Sequence, residues 1–387
     1  MITMRPGTHA YQLLQLLAVA GEIPPSALSI LGNERVFNNL IHKLKSVQNI
    51  RFDKNGQDYQ SKLIQVSGKK DTRTIRLYRK ALVLLNELYP GLLEWYLKAF
   101  KGHNFSGDIS HIQRNHRVGE SLALCMKAGI EFRPYALPVL QKARFVKTIP
   151  DTPSFYIARG LKKTGTGEEN KTMFTRITGA LFYPGSCYAV YNTRSSLMKW
   201  SGLGEVKAAG NLMELARMNG GLDEIKSALL LGYDADIALK TMIDSVKNAR
   251  HDLRFDRIYP KIHFTPLNQN GVRLIRILTA SNWNEKLLAA LFEPEQRSFN
   301  RGSMEYDAMI NNRMILSHLD SDIARLCRFR ESLIYKASIS ERINADVICY
   351  PWQTGFLKSY LGELASLREL EMDAVESVLS EVEANDG

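Results

Sequence analysis

An α+β fold is predicted by three features of the sequence. Apolar residues at helical spacing fill residues 8–45 and then give way to short β-type runs around Asn55-Gly56. A second hairpin pattern, "FTRITGALFYPGSCYAVYNT", turns at Pro184-Gly185. Most of the chain after residue 200 returns to helical spacing. A length of 387 residues suits two or three domains. We divide it into an N-terminal unit of helices and short strands (1–100), a helical linker (101–150), an α/β unit with a small sheet (151–295) and a helical C-terminal region with an acidic tail (296–387).

The first helix is expected in "THAYQLLQLLAVAGE", with Thr8 as N-cap and Leu13, Leu14, Leu16 and Leu17 on its apolar side. Pro24-Pro25 opens a second helix that closes on Gly32. The third, "NERVFNNLIHKLKSVQN", carries Val36, Phe37, Leu40, Ile41 and Leu44 as an apolar stripe. Arg35, Asn38, Asn39, His42, Lys43 and Lys45 make up its other face. Three extended runs follow, and "KALVLLNELYPGLLEWYLKAF" is expected to close the unit as a helix. Three short helices followed by a twisted hairpin read as a winged helix. Its third helix would enter the major groove, and Lys62, Lys69, Lys70 and Arg73 of the wing would meet phosphates.

Charge points the same way. The net charge is +11, and residues 1–117 hold 17 Lys/Arg against 8 Asp/Glu. Such an excess suits a polyanion, so double-stranded DNA is the expected partner. Residues 363–387 hold eight acids and only Arg368, so the tail is expected to have a different partner. Leu357, Leu361, Leu364, Leu367, Leu370, Val375, Val378 and Val382 recur at steps of a helix face. That face suits packing within the chain, self-association as a homodimer, or docking of another protein of a nucleoprotein complex.

No apolar run is long enough to span a membrane, and the start lacks a signal-peptide core, so a cytoplasmic protein is expected. Cys125, Cys187, Cys327 and Cys349 have no paired spacing, which favours reduced, buried thiols over zinc or disulfides. In "GHNFSGDISHIQRNHRVGE", His111 and His116 lie five apart, a poor spacing for a shared metal on one helix. The segment reads as a helix start with Asp108 near the positive dipole end; Arg114, His116 and Arg117 would extend the DNA-facing surface. The glycines of "KKTGTGEENK" are followed by no Gly-Lys-Ser/Thr and make no phosphate loop. Helical patterns are expected in "LDEIKSALLLG" and "DADIALKTMIDSVKNAR", and two strands around "NQNG" at 268–271.

The hairpin decides the chemistry. A metal-dependent nuclease of the restriction-endonuclease type needs carboxylates on such a hairpin, where they hold Mg²⁺ and lower the pKa of water. No Asp or Glu occurs between Asn170 and Gly204. The order of parts, with "SHIQRNHRVGESLAL" and "TRITGALFYPGSCYAVYNT", resembles the replication-relaxation family of plasmids and conjugative elements, over roughly residues 8–280. The resemblance implies a winged helix followed by a restriction-endonuclease-related domain, as in MobC-type relaxases. It places the first-strand acid near Thr178 and the second-strand pair near Tyr191 and Thr193, none of them acidic.

Glu205 and Lys207 in "GLGEVKA" form a literal Glu-x-Lys, with Glu168, Glu169 or Glu214 as further acids. On a helix, however, Glu205 and Lys207 point about 200° apart, so a solvated helix start is the simpler account. Tyr188 and Tyr191 read as packing residues rather than nucleophiles. The expectation is a sequence-specific DNA-binding protein of a mobile element, in transfer, replication initiation or transcriptional regulation, without metal or other cofactor. The alternatives are a Mg²⁺-dependent relaxase or nicking endonuclease, and an assembly protein acting through its C-terminal helices.

Overall fold

The computed structural model describes residues 1–52, 58–132, 149–161, 175–200, 202–248, 250–298, 305–339 and 344–385. The chain is a mixed α/β protein with four sheets among these residues. The first part contains β1 (Ile2–Met4), α1 (His9–Ala20), β2 (Glu22–Ile23), α2 (Ser26–Leu31), α3 (Glu34–Leu44), β3 (Gln48–Phe52), β4 (Asp58–Ser61), β5 (Ile64–Ser67) and β6 (Thr74–Leu77). Helix α1 begins where the Thr8 hydroxyl accepts the Tyr11 amide, and it buries the four expected leucines. In α3 the Asn33 side chain accepts the amides of Arg35 and Val36, while Phe37, Ile41 and Leu44 are buried. Val36 departs from the expected stripe and stands exposed.

Strands β2, β6 and β5 form one antiparallel sheet, whereas β1 runs parallel to β3, which pairs antiparallel with β4. The Asn55-Gly56 turn lies outside the described residues. Between β5 and β6 the chain turns at Gly68, whose φ is +75°; a Cβ there would collide with the Thr72 carbonyl. The single helix expected after Lys80 is interrupted. A tight turn (Arg79–Leu84) runs into α4 (Leu85–Leu88), and α5 (Leu92–Ala99) starts after Pro90-Gly91. Pro90 lacks the amide that a continuous helix needs, and Gly91 takes a left-handed φ of 76°.

The second part contains α6 (Ile109–Ala128), β7 (Glu131–Phe132), β8 (Ser154–Ile157), α7 (Ala158–Leu161), β9 (Gly179–Tyr183), β10 (Ser186–Arg194), α8 (Leu203–Gly220), β11 (Ser227–Gly232), α9 (Ala235–Asn248), α10 (Phe255–Ile258), β12 (Lys261–Pro266), α11 (Gln269–Thr279) and α12 (Trp283–Leu291). Its sheet has six strands, larger than expected, in the order β12-β11-β10-β9-β8-β7. Strand β9 is antiparallel to both neighbours, and β10, β11 and β12 are parallel. The hairpin turns at Pro184-Gly185 as the sequence predicts, with Tyr183 paired to Ser186.

Two segments were misread for opposite reasons. "SALLLG" is strand β11, not helix; all six residues are buried, and a continuous apolar run has no diagnostic period. The second strand expected after "NQNG" is helix α11, because the Asn268 side chain caps the Asn270 and Gly271 amides.

Helix α6 is more than a linker. Its Gly119 lies so close to β2 that a Cβ would meet Ile23 Cγ2 at 2.8 Å, while the Ser121 hydroxyl lies 3.1 Å from that of Thr178 beside the hairpin. It thus ties the N-terminal helices to the six-stranded sheet.

The sequence pattern of the C-terminal region suggests helices and a single strand at Val347-Tyr350; that strand is present, and three more join it. The region contains β13 (Ala308–Ile310), β14 (Arg313–Ser317), α13 (Ile323–Ser338), β15 (Asn344–Cys349), α14 (Thr354–Leu361), β16 (Ser366–Glu369) and α15 (Met372–Asn385). The strands form a sheet in the order β13-β14-β15-β16 whose last three members are parallel. Parallel strands buried between helices show no alternation, so their pattern hides among helical ones. The tail's leucine series is therefore split: Leu357 and Leu361 lie on α14, Leu367 on β16 and Val375 on α15. Met372, Val375 and Leu379 are buried, and Arg273 of α11 pairs with Asp373 and Glu376. The acidic tail helix thus packs on its own chain. All four cysteines are free and buried. No helix among the described residues is long and apolar enough to cross a membrane.

Candidate nucleic-acid interface and the hairpin site

Helix α3 presents its polar face outward. Arg35, Asn38, Asn39, His42, Lys43 and Lys45 are all exposed, opposite the buried Phe37, Ile41 and Leu44. Lys62, Lys69, Lys70 and Arg73 are exposed as well, the last three on the loop joining β5 and β6. None of the Lys and Arg side chains in this set is ion-paired to a carboxylate among the described residues. A cation without an intramolecular partner keeps its full attraction for an external anion.

The hairpin places its residues differently from the sequence reading. Thr178 precedes β9 and is buried; its amide donates to the Val190 carbonyl (2.7 Å), as does its hydroxyl (2.9 Å). Side chains alternate along β10. Tyr191 points away from α6, toward Glu205 (3.1 Å) and Tyr259 (3.3 Å). Asn192 and Arg194 instead reach Glu120 of α6, on the face that Thr178 shares through Ser121. Asn192 and Arg194, rather than Tyr191, therefore reach the α6 side that Thr178 also meets, and Thr193 lines the adjoining cavity with Thr178 and Asn192. Asn192 brings an amide and Arg194 a guanidinium.

Glu120 is the carboxylate of this locus, and the sequence reading missed it. It is fully buried and accepts hydrogen bonds from Ser26 (2.6 Å), Asn192 (3.3 Å), Arg194 (3.1 Å) and Tyr233 (3.0 Å). A hard cation prefers several carboxylate oxygens. Here a single carboxylate is already engaged by four donors. Among the described residues no group of three or more His, Cys, Asp or Glu could hold a metal ion.

Glu205 is neither solvated nor paired with Lys207. It is buried at the start of α8, accepting from the Thr175 hydroxyl (2.7 Å), the Arg176 amide (2.6 Å) and the Tyr191 hydroxyl. It thereby fastens the strand entry to the helix. Lys207 is exposed on another side of the same helix, as its spacing requires. Glu214 pairs with Arg217 on the surface, and Glu168 and Glu169 lie outside the described residues. Tyr188 is buried and donates to the Leu278 carbonyl (3.1 Å), a packing role as expected.

A cavity of about 240 Å³ opens beside the hairpin, lined by Arg114, Arg117, Arg176, Lys199, Thr178 and Asn192 among others. Burial and the neighbouring Arg194 and Arg176 lower the pKa of Arg117. The cavity beside the hairpin is thus lined by cations.

Asp108 caps α6 as expected, and hydrogen bonds from Ser110 and His111 hold its pKa down to about 2. His116 does not join the surface; it is buried, with Nε2 2.8 Å from the Thr74 hydroxyl. Burial, with Arg194 and Arg117 nearby, lowers its pKa to about 4, and burial lowers that of His318 to about 4. Both therefore bind protons more weakly folded than unfolded. Their contribution is complete above the unfolded value of about 6.5 and is lost as pH falls toward 4, on the order of 2 kcal/mol each. Urea unfolding at pH 7 and pH 5 should show that loss; equal stability at the two values would contradict it.

The chain matches no protein-family model, no curated protein and no solved structure.

Proposed function

We propose that this protein binds double-stranded DNA through α3 and the β5–β6 loop and does not cut it. The observation that carries the reading is the outward face of α3. Amides and cations occupy one side of a helix whose other side is locked in the core. Helices α1 to α3 followed by the antiparallel β5–β6 pair, with β2 joining its sheet, support a winged helix, and amides and guanidiniums on its third helix suit base edges. A hairpin followed by a helix and a parallel strand supports a domain of nuclease type. The resemblance puts the carboxylates of such a domain at about Thr178, Tyr191 and Thr193, none of which is acidic, and this favours a retained shape without the metal chemistry. On this reading the protein serves a mobile element in transfer, replication initiation or regulation, from the cytoplasm.

Arg35→Ala or Asn39→Ala tests it, since both residues are exposed and unneeded for the core. Each should reduce discrimination between a specific site, selected from random duplexes, and bulk DNA by about 1–3 kcal/mol. Shift assays reporting unchanged discrimination in both variants would exclude α3 as the reading helix.

A further inference from the structure

We propose that the basic cavity beside the hairpin and the apolar cavity next to it together bind a free nucleoside di- or triphosphate. This inference does not depend on the duplex-binding reading, because it uses other residues.

The second cavity, of about 260 Å³, is lined by Phe100, Phe105, Val118 and Ile157, with Asn104, Asn115 and Arg159 at its polar edges. Arg114 lines both cavities, so the two adjoin through one side chain. Together they fall within the about 300–1,000 Å³ usual for small-molecule sites.

The two halves differ in chemistry as the two ends of a nucleotide do. The basic half gathers Arg114, Arg117, Arg176 and Lys199, and no carboxylate is ion-paired with any of the four among the described residues. Of the carboxylates close by, Glu120 is ion-paired with Arg194 and Glu205 is held by the Thr175 hydroxyl and the Arg176 amide. Four like charges around one concavity repel one another until an anion enters, and a guanidinium fork matches phosphate oxygens. Ser110, Thr178, Asn192 and Thr193 line the same cavity. One phosphate would leave that charge uncompensated, which points to two or three.

The apolar half offers an apolar wall: Phe105, Val118 and Ile157 line it, and the buried Phe100 ring packs against Phe105 behind it. The Asn104 side chain makes no hydrogen bond among the described residues and can meet the edge of a base. A duplex is too wide for either cavity. Ala20 and Phe100 come from the N-terminal unit, while Ile157, Ala158 and Arg159 follow α6, so a bound nucleotide would bridge both.

The test uses the full chain and the fluorescent probe N-methylanthraniloyl-ADP. Its fluorescence should rise saturably and be reversed by ADP, and less effectively by inorganic pyrophosphate, which lacks the ring. Arg176→Gln, an exposed change that leaves the fold intact, should weaken probe binding about ten-fold or more, as should Arg117→Gln. Phe105→Ala should weaken ADP competition while leaving pyrophosphate competition unchanged. Three results would overturn the proposal: no saturable change up to about 1 mM probe, wild-type affinity in both arginine variants, or displacement by a 5′-phosphorylated oligonucleotide but not by ADP. Duplex shift assays on the same preparations report separately on α3, so failure here and failure there are distinct outcomes.

Discussion

Glu120→Ala is expected to cost about 3–5 kcal/mol of folding stability, because it strips a buried guanidinium of its carboxylate. Glu120 has no exposed surface, and Arg194 is mostly covered, so water cannot replace the lost partner. Ser26, Asn192 and Tyr233 lose their acceptor in the same step. These donors come from α2, β10 and the loop after β11, so the damage spreads across the junction between the N-terminal unit and the sheet. The double change Glu120→Ala with Arg194→Met should cost less than the sum of the two single changes, since no unpaired charge remains buried. Urea denaturation of the three variants measures both quantities. Strict additivity, or a loss under about 1 kcal/mol for Glu120→Ala, would show that the carboxylate is not the hub its contacts indicate.

The second large effect concerns the loop between β5 and β6. Lys69→Ala, Lys70→Ala and Arg73→Ala together should weaken binding to every duplex alike, by about a hundred-fold at moderate salt. If α3 and this loop neutralise roughly five phosphates, log K should fall against log[salt] with a slope of about −4 to −5, and the triple variant should flatten it to about −2. The three side chains are exposed and carry no packing, so folding should be unaffected. Fluorescence anisotropy across a salt series, on a selected site and on bulk DNA, separates the outcomes. An unchanged slope would remove the loop from the interface.

Local chemistry made some elements legible. Asn33 before an amphipathic stripe marks α3, and Pro184-Gly185 between apolar runs marks the hairpin, and both stand where the pattern places them. Strand β11 and the inner strand β14 were hidden because strands covered on both faces carry no alternation. On a strand one residue reverses the face, and the sequence does not say which of Tyr191 and Asn192 turns toward α6; the fold sends Tyr191 to Glu205 and Asn192 to Glu120. Glu120 resembles any surface glutamate on a helix until the β10 face closes over it. Glu205 resembles a solvated helix start for the same reason; only the folded chain brings Thr175 and Tyr191 onto it.

We propose a DNA-binding protein whose hairpin carries no metal chemistry. Supercoiled plasmid bearing the gene's own upstream region, incubated with the full chain with and without Mg²⁺ or Mn²⁺, tests it directly when scored for shift and for nicking together. The account predicts a salt-sensitive shift in all conditions and no relaxed or linear product in any. Metal-dependent nicking that disappears in Glu120→Gln or Glu205→Gln, variants that keep the side-chain shape, would contradict it.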